Sequence, residues 1–295
     1  MVSICSTTYN HAQYIKQCLD GFLMQQVNFK YEILIHDDAS TDGTDNIIRE
    51  YAKKYPDIIK PLYEEENQYR TNNPKGMAYW NFSRAKGKYI AICEGDDYWI
   101  DPVKLQKQVD LLESRPELAL CFHRAKIIST FTHINTLQCE HIADREYSAT
   151  ELFTVWTVPT ASILFRADCL KRQLIDKHKF LNGDIATILT ASLSGKLWGM
   201  SDVMSAYRMH WGGVSYNPEV QIERRMKYPD HYKAIKANFP NLDRNIVNES
   251  LARSYVNRAH IQKRITLKML DYSRAVYYMP INELVKSLMR KVAKF

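Results

Sequence analysis

Glu94, Asp96 and Asp97 follow an apolar run in the stretch YIAICEGDDYW, residues 89–99, and a second pair, Asp37 and Asp38, closes EILIHDD. Five carboxylates behind two strand-like runs repel one another unless a cation or a bank of hydrogen-bond donors neutralises them. Helix capping accounts for Ser40, Thr41, Asp42 and Asp101, which stand at helix starts, but not for the five acids that precede them. The acids offer oxygen ligands with no His–Cys constellation beside them in sequence. That donor set favours a hard cation, Mg²⁺ or Mn²⁺, which commonly shares its coordination sphere with substrate phosphates. Neither GxxxxGK[ST] nor GxGxxG after a strand occurs, so the phosphates are expected on metal and side chains and not in a glycine cradle.

The elements that must carry these acids alternate. VSICSTT, YEILIH, IIKPLY, KYIAIC and ELALCFHRAKIIS read as strands. Between them, HAQYIKQCLDGFLMQQ, TDGTDNIIREYAKKY and DPVKLQKQVDLLESRP carry apolar residues at helical spacing, and 76–84 reads as a further helix. In the third, Asp101 is the expected N-cap and Pro102 the first helical residue. Strand–helix alternation implies an α/β fold, a Rossmann-like and mostly parallel sheet with flanking helices. Ligands in such a sheet lie beyond the carboxyl ends of its strands, where both acid groups fall. A mostly helical, basic region follows, with the boundary expected near Ser215.

The chain has 295 residues, 45% hydrophobic and 25% charged, which suits a globular protein with a sizeable core. Six cysteines without CxxC spacing read as reduced core residues of a cytoplasmic protein, and neither a signal peptide nor a bilayer-spanning run is expected. The net charge of +7 is concentrated in residues 251–295, which alone carry +8 and leave −1 for the rest. That tail lacks interleaved aromatics or a groove-binding motif, so nucleic acid is not an expected partner.

Four segments in order resemble a family 2 glycosyltransferase of the GT-A fold: SICSTTYNHAQYIKQCLDGFLMQ, YEILIHDDASTDGTDNII, AKGKYIAICEGDDYWIDPVKLQKQVDLLE and YRMHWGGVS. The resemblance covers residues 1–215, and the helical extension is 216–295. It implies an inverting transfer of a sugar from a nucleotide-diphosphate donor, UDP first, to a hydroxyl of a glycan or lipid-linked acceptor in surface-polysaccharide synthesis. By position, Thr7, Thr8 and Tyr9 match the segment lining the nucleotide pocket, Asp38 the residue contacting the base, and Arg70 a basic residue beside the nucleotide. Glu94, Asp96 and Asp97 fall on the DxD motif. The Glu in first place leaves the Mn²⁺ or Mg²⁺ to Asp96 and Asp97 and gives Glu94 a ribose or neighbouring contact. His210 resembles a histidine near the diphosphate or metal. Tyr98 is expected to shape the sugar pocket or to pack beneath the metal loop, and Trp99 to pack.

An inverting transfer needs one general base opposite the leaving group. FLNGDIATILTASLSGK supplies Asp184 at a helix start, where spacing alone leaves an N-cap role equally open. The resemblance favours the base. His11, His36, His123, His133 and His141 show no metal spacing and are assigned no chemistry. In the tail, Ile281, Leu284, Val285, Leu288, Met289, Val292 and Phe295 form one helical stripe. A helix docked on the catalytic domain accounts for it, and so does a peripheral helix on the anionic inner face of a membrane. Two rivals to the transferase remain: a non-catalytic nucleotide-sugar or glycan-binding module, and a nucleotidyltransferase, which would want a Gly-rich segment near the amino terminus.

Overall fold

A computed structural model describes residues 1–70, 81–129, 135–155, 158–171, 174–211, 213 and 218–292. It divides into two compact units, Met1–Gln173 with Gly183–His210, and Leu174–Asn182 with Trp211–Phe295. The boundary expected near Ser215, His133 and residues 76–80 of the expected helix lie outside the described residues, and Phe82–Arg84 form only a 3-10 turn.

The first unit is built on one sheet. Strands β1 (Val2–Thr8), β2 (Tyr31–Asp37), β3 (Ile59–Tyr63) and β4 (Tyr89–Ile92) run parallel in the order β3-β2-β1-β4. Next come β9 (Leu164–Arg166), β6 (Leu118–Ser129), β10 (Lys196–Met209) and β5 (Tyr98–Trp99). Here β6 and β10 are parallel to each other, while β9 is antiparallel to both β4 and β6. Short β7 (Asn135–Gln138) and β8 (Arg145–Tyr147) pair antiparallel with β6 and β10. This is the α/β architecture expected from the alternation.

Side chains alternate across the sheet, so each face has its own core. Ile4, Ile33, Ile35 and Ala91 face helices α1 (Ile15–Leu23), α2 (Thr44–Lys54) and α3 (Lys104–Ser114), which contribute Phe22, Ile48 and Leu105. Cys5, Leu34, Ile90 and Ile92 face α4 (Ala149–Thr154) and α5 (Gly183–Ala191), which contribute Leu152 and Ile188. All six cysteines are free thiols, five of them buried. Helix α3 starts later than its cap signal implied. Its N-cap residue is Val103, and the Asp101 carboxylate accepts the Val103 amide at 2.8 Å in the preceding turn.

The second unit is helical: α6 (Pro218–Asn238), α7 (Arg244–Ile261), α8 (Ile265–Tyr278) and α9 (Ile281–Val292). Asp243 caps α7 by accepting the Asn245 amide at 2.8 Å. Helix α9 splits the expected stripe. Leu284 is buried with Leu251, Tyr255 and Ala275, whereas Ile281, Val285 and Met289 are exposed. Among the described residues no helix is long and apolar enough to cross a membrane.

Candidate active site

The carboxyl ends of β1, β2 and β4 meet at one corner of the sheet. Leaving β4, the chain turns through Glu94, Gly95, Asp96 and Asp97 before entering β5. Gly95 fits here because a Cβ would stand 2.8 Å from both Cβ and Oγ1 of Thr8. Its amide donates to the Thr7 carbonyl at 2.9 Å, so the acidic turn is pressed against the end of β1. The Thr8 hydroxyl is buried without a hydrogen-bond partner among the described residues. Thr7 and Tyr9 are partly exposed on either side of it.

The three acids differ in surroundings. Asp97 is 2% exposed, and its Oδ1 accepts the Arg208 backbone amide at 2.8 Å. Burial first, then the charges of Asp96 and Glu94, raise its pKa well above the usual carboxylate range. Glu94 is pushed up to about 8 by burial and by the charges of Asp96 and Asp184. Asp96 moves the other way. Burial would raise it, but the hydrogen bond from His210 and the nearby His11 outweigh that and lower its pKa. Its Oδ2 lies 3.0 Å from His210 Nε2 and 3.6 Å from His11 Nε2.

His11, Asp96 and His210 form a group whose ligand atoms all lie within 4.8 Å of one another. A carboxylate oxygen and two imidazole nitrogens are competent metal ligands. Around one ion at about 2.1 Å, neighbouring ligand atoms stand about 3.0–3.4 Å apart, so the present spacing fits a divalent cation after small movements. Asp97 is outside this group. His11 and Arg208 were missed in the sequence reading. His11 lies 85 positions from Asp96 and reaches it only because β1 and β4 are neighbours. Burial lowers its pKa, opposed in part by Asp96. Arg208 could have been found by strand alternation, since it shares a face with His210 at the end of β10. Its guanidinium bonds the Asp96 carbonyl and the Gln17 side chain and lies 4.3 Å over the Tyr98 ring. Tyr98 thus packs beneath this arginine. Trp99 packs as expected, 1% exposed, with Nε1 donating to the Ala161 carbonyl at 2.9 Å.

At the β2 corner, Asp37 accepts the Ser40 hydroxyl at 2.5 Å and the Ser40 amide at 3.1 Å. Asp38 uses both oxygens on backbone amides, those of Gln68 at 2.7 Å and Tyr69 at 3.1 Å. It therefore holds the turn that carries Arg70, whose side chain lies outside the described residues. Asp42 is not the cap expected from sequence: Gly43 is the N-cap of α2, without a side-chain cap bond, and Asp42 instead accepts the Ala12 amide at 2.9 Å and the Thr44 hydroxyl at 2.6 Å. Across the same gap the Asn10 amide donates to Ser40 Oγ and Asn10 Oδ1 accepts the Thr41 amide, both at 2.9 Å, so the β1–α1 loop bearing His11 is laced to the β2–α2 loop. The chain turns there through left-handed Asn10, φ 55°, and Ala39, φ 61°.

Asp184 comes from α5 on the other face of the sheet. Its Oδ1 accepts the Ile185 amide at 2.8 Å, and its Oδ2 lies 3.4 Å from the Thr160 hydroxyl. Its charge is close enough to raise Glu94, so the fold brings Asp184 to the acid turn 90 positions away. The corner thus holds Thr7, Thr8, Tyr9, Glu94, Asp96, Asp97, Asp184 and His210.

The profile described as "Glycosyl transferase family 2" matches residues 3–174, more than half of the chain, and the chain belongs to that family. An uncharacterized protein of Mycobacterium tuberculosis is 46% identical over 224 residues, 72% of this chain and 60% of that protein. The chain thus matches about three fifths of the length of that relative. A putative teichuronic acid biosynthesis glycosyltransferase of Bacillus subtilis, TuaG, is 34% identical over 118 residues, covering 39% of this chain and 43% of that one. Among solved structures, Staphylococcus aureus TarS 1-349 in complex with UDP-GlcNAc superposes with a TM-score of 0.68 at 16% identity, over 95% of this chain and 81% of that one. The mannosyltransferase PcManGT of Pyrobaculum calidifontis, in complex with GDP-Man and Mn²⁺, gives 0.55 at 17% identity, over 99% and 86%. These likenesses show the fold, GT-A.

Proposed function

We propose that this chain is an inverting glycosyltransferase that moves a sugar from a nucleotide-diphosphate donor to a hydroxyl of a glycan or lipid-linked acceptor in surface-polysaccharide synthesis. The observation that carries the reading is the convergence of Asp96, His210 and Asp184 on one corner of a family 2 sheet. Asp184 takes the proton of the acceptor hydroxyl. The acceptor oxygen bonds to the anomeric carbon as the C–O bond to the diphosphate breaks on the opposite side, and the nucleotide diphosphate departs with that electron pair. Asp96, with Asp97 beside it, would hold a divalent cation, whose charge would stabilise the departing diphosphate. Thr7, Thr8, Tyr9 and Asp38 line the base and ribose end, with Arg70 beside them and Glu94 at the ribose. UDP is the favoured nucleotide, and the UDP-GlcNAc bound by TarS supports it. The Mn²⁺ of the mannosyltransferase supports the cation.

Thermal melts with UDP, GDP, dTDP and UDP-sugars, each with Mn²⁺ or EDTA, test this directly. A ligand at one hundred times its Kd adds about 2.7 kcal/mol to the folded state. The expected result is a rise with UDP and Mn²⁺ that EDTA abolishes. A melt unmoved by every nucleotide in the presence of metal removes the donor site, and with it the enzyme.

For the lipid-linked acceptor, we infer that α9 contacts an anionic membrane through exposed Ile281, Val285 and Met289, flanked by Lys286. Flotation with phosphatidylglycerol vesicles should carry the full chain upward, and a chain lacking 280–295 should remain at the bottom. Equal flotation of the two ends that idea.

A further inference from the structure

The sequence pointed to Asp96 and Asp97 as ligands with His210 near the metal, and the fold sets a second imidazole, that of His11, on Asp96. His210 Nε2 and His11 Nε2 approach the same Oδ2 at 3.0 and 3.6 Å, and the two rings are nearly perpendicular, with centroids 6.1 Å apart. Two histidines thus meet one carboxylate oxygen from different directions, with the three ligand atoms within 4.8 Å of one another. Neither ring is a surface accident, since the side chains are 15% and 7% exposed. His11 is also held in place before any ligand arrives. Its own amide donates to Thr44 Oγ1 at 2.8 Å, and its neighbours Asn10 and Ala12 donate to Ser40 and Asp42. A loop pinned on three consecutive amides fixes the direction in which the ring projects. A histidine that merely fills space does not need such fixing.

We propose that His11 is a third protein ligand of the cation beside Asp96 and His210, making a two-nitrogen, one-oxygen centre that takes Mn²⁺ or Co²⁺ in preference to Mg²⁺. The inference rests on the metal-dependent transfer proposed above. Its chemistry is that of the donor atoms. Mg²⁺ is smaller, holds its waters and wants oxygen in near-ideal octahedral geometry, whereas imidazole nitrogen suits the first-row transition metals, and affinity rises from Mn²⁺ to Co²⁺. Three protein ligands leave the remaining positions for water and for the donor's phosphate oxygens.

The test uses the full chain, stripped of metal by EDTA and dialysed, without nucleotide or acceptor, so that metal binding is read apart from turnover. Co²⁺ titration followed by visible absorption reports ligation, and calorimetry gives Mn²⁺ and Mg²⁺ affinities. The expected result is Co²⁺ absorption bands, Mn²⁺ bound at least about tenfold tighter than Mg²⁺, and a loss of about tenfold or more in Mn²⁺ affinity in His11→Ala. His11→Gln, which keeps bulk in the loop, should show the same loss while melting like the wild type in EDTA. Unchanged Mn²⁺ affinity in His11→Gln, with affinity lost in His210→Ala, overturns the proposal and leaves the metal-dependent reading standing. A wild-type chain that binds none of the three ions overturns both.

Discussion

Each unit contains buried acids, and they are neutralised in opposite ways. Asp271 in α8, 1% exposed, is gripped by Arg258 of α7 through Nη2 at 2.6 Å and Nε at 2.9 Å, with Arg274 a further 3.6 Å contact. Its counter-charge is written into the same helices. Asp97 and Asp96 in the sheet unit have no such partner: among the described residues, no Lys or Arg forms an ion pair with Glu94, Asp96 or Asp97. The nearest arginine, Arg208, spends its guanidinium on a carbonyl, a glutamine and a tyrosine ring. A buried acid whose cation is built in is structural, and a corner of acids met by backbone donors and two imidazoles has room in its charge balance for a cation from outside.

The largest effect that would sharpen this contrast concerns Asp184. Asp184→Asn should lower transfer by about 10²–10⁴-fold, the range for loss of a general base, while UDP still raises the melting temperature. Wild-type-like turnover would return Asp184 to helix capping. Next come the two kinds of acid compared directly. Asp271→Ala leaves the partly buried Arg258, its side chain 13% exposed, without its partner and should cost about 3 kcal/mol in urea unfolding. Asp96→Asn, measured in EDTA, should cost little and lose instead the Mn²⁺-dependent shift. Equal destabilisation by both would erase the distinction. The last effect is one of pH. Lys104 is fully buried, donates to Gln108 Oε1 at 2.7 Å, and burial lowers its pKa to about 7. Between that value and the ordinary 10.5 the unfolded chain holds the extra proton, so stability rises with pH across this window; below it the full cost of a buried charge applies. Lys104→Met should therefore melt above the wild type at pH 6, with the gap closing as the pH approaches 10. A gap constant with pH would show that this lysine is solvated.

Much of the architecture was legible because it is periodic. The strands at 2–8, 31–37, 59–63 and 89–92 and the stripe Ile15, Cys18, Leu19, Phe22 announce themselves locally, and so does the placing of acids at strand ends. The three-residue strands β8 and β9 did not, because three residues carry no period and their register is set by β4, β6 and β10. At the corner, the acids and Asp184 were expected from residue type and the order of motifs, and the fold sets the acids in one turn within electrostatic reach of Asp184. His11 was not. A lone histidine in a loop has no signal of its own, and its place beside Asp96 arises from a parallel pairing. The α9 stripe was legible, but the division of its residues between core and surface was not, for the converse reason. The sequence shows that a helix is two-faced but not which of its apolar residues a neighbour reaches, and α7 and α8 reach Leu284 while Ile281, Val285 and Met289 stay outside.

The lacing of the β1–α1 loop to the β2–α2 loop has a thermodynamic consequence. Ser40, Asp42 and Thr44 already hold the amides of residues 10–12, and Ala39 keeps a left-handed turn that costs roughly 1 kcal/mol or more in an L-residue. The entropy of ordering this corner is thus spent during folding and not at each encounter with a ligand. A ligand binding there would meet a preorganised surface, and its association would carry little ordering cost from these loops.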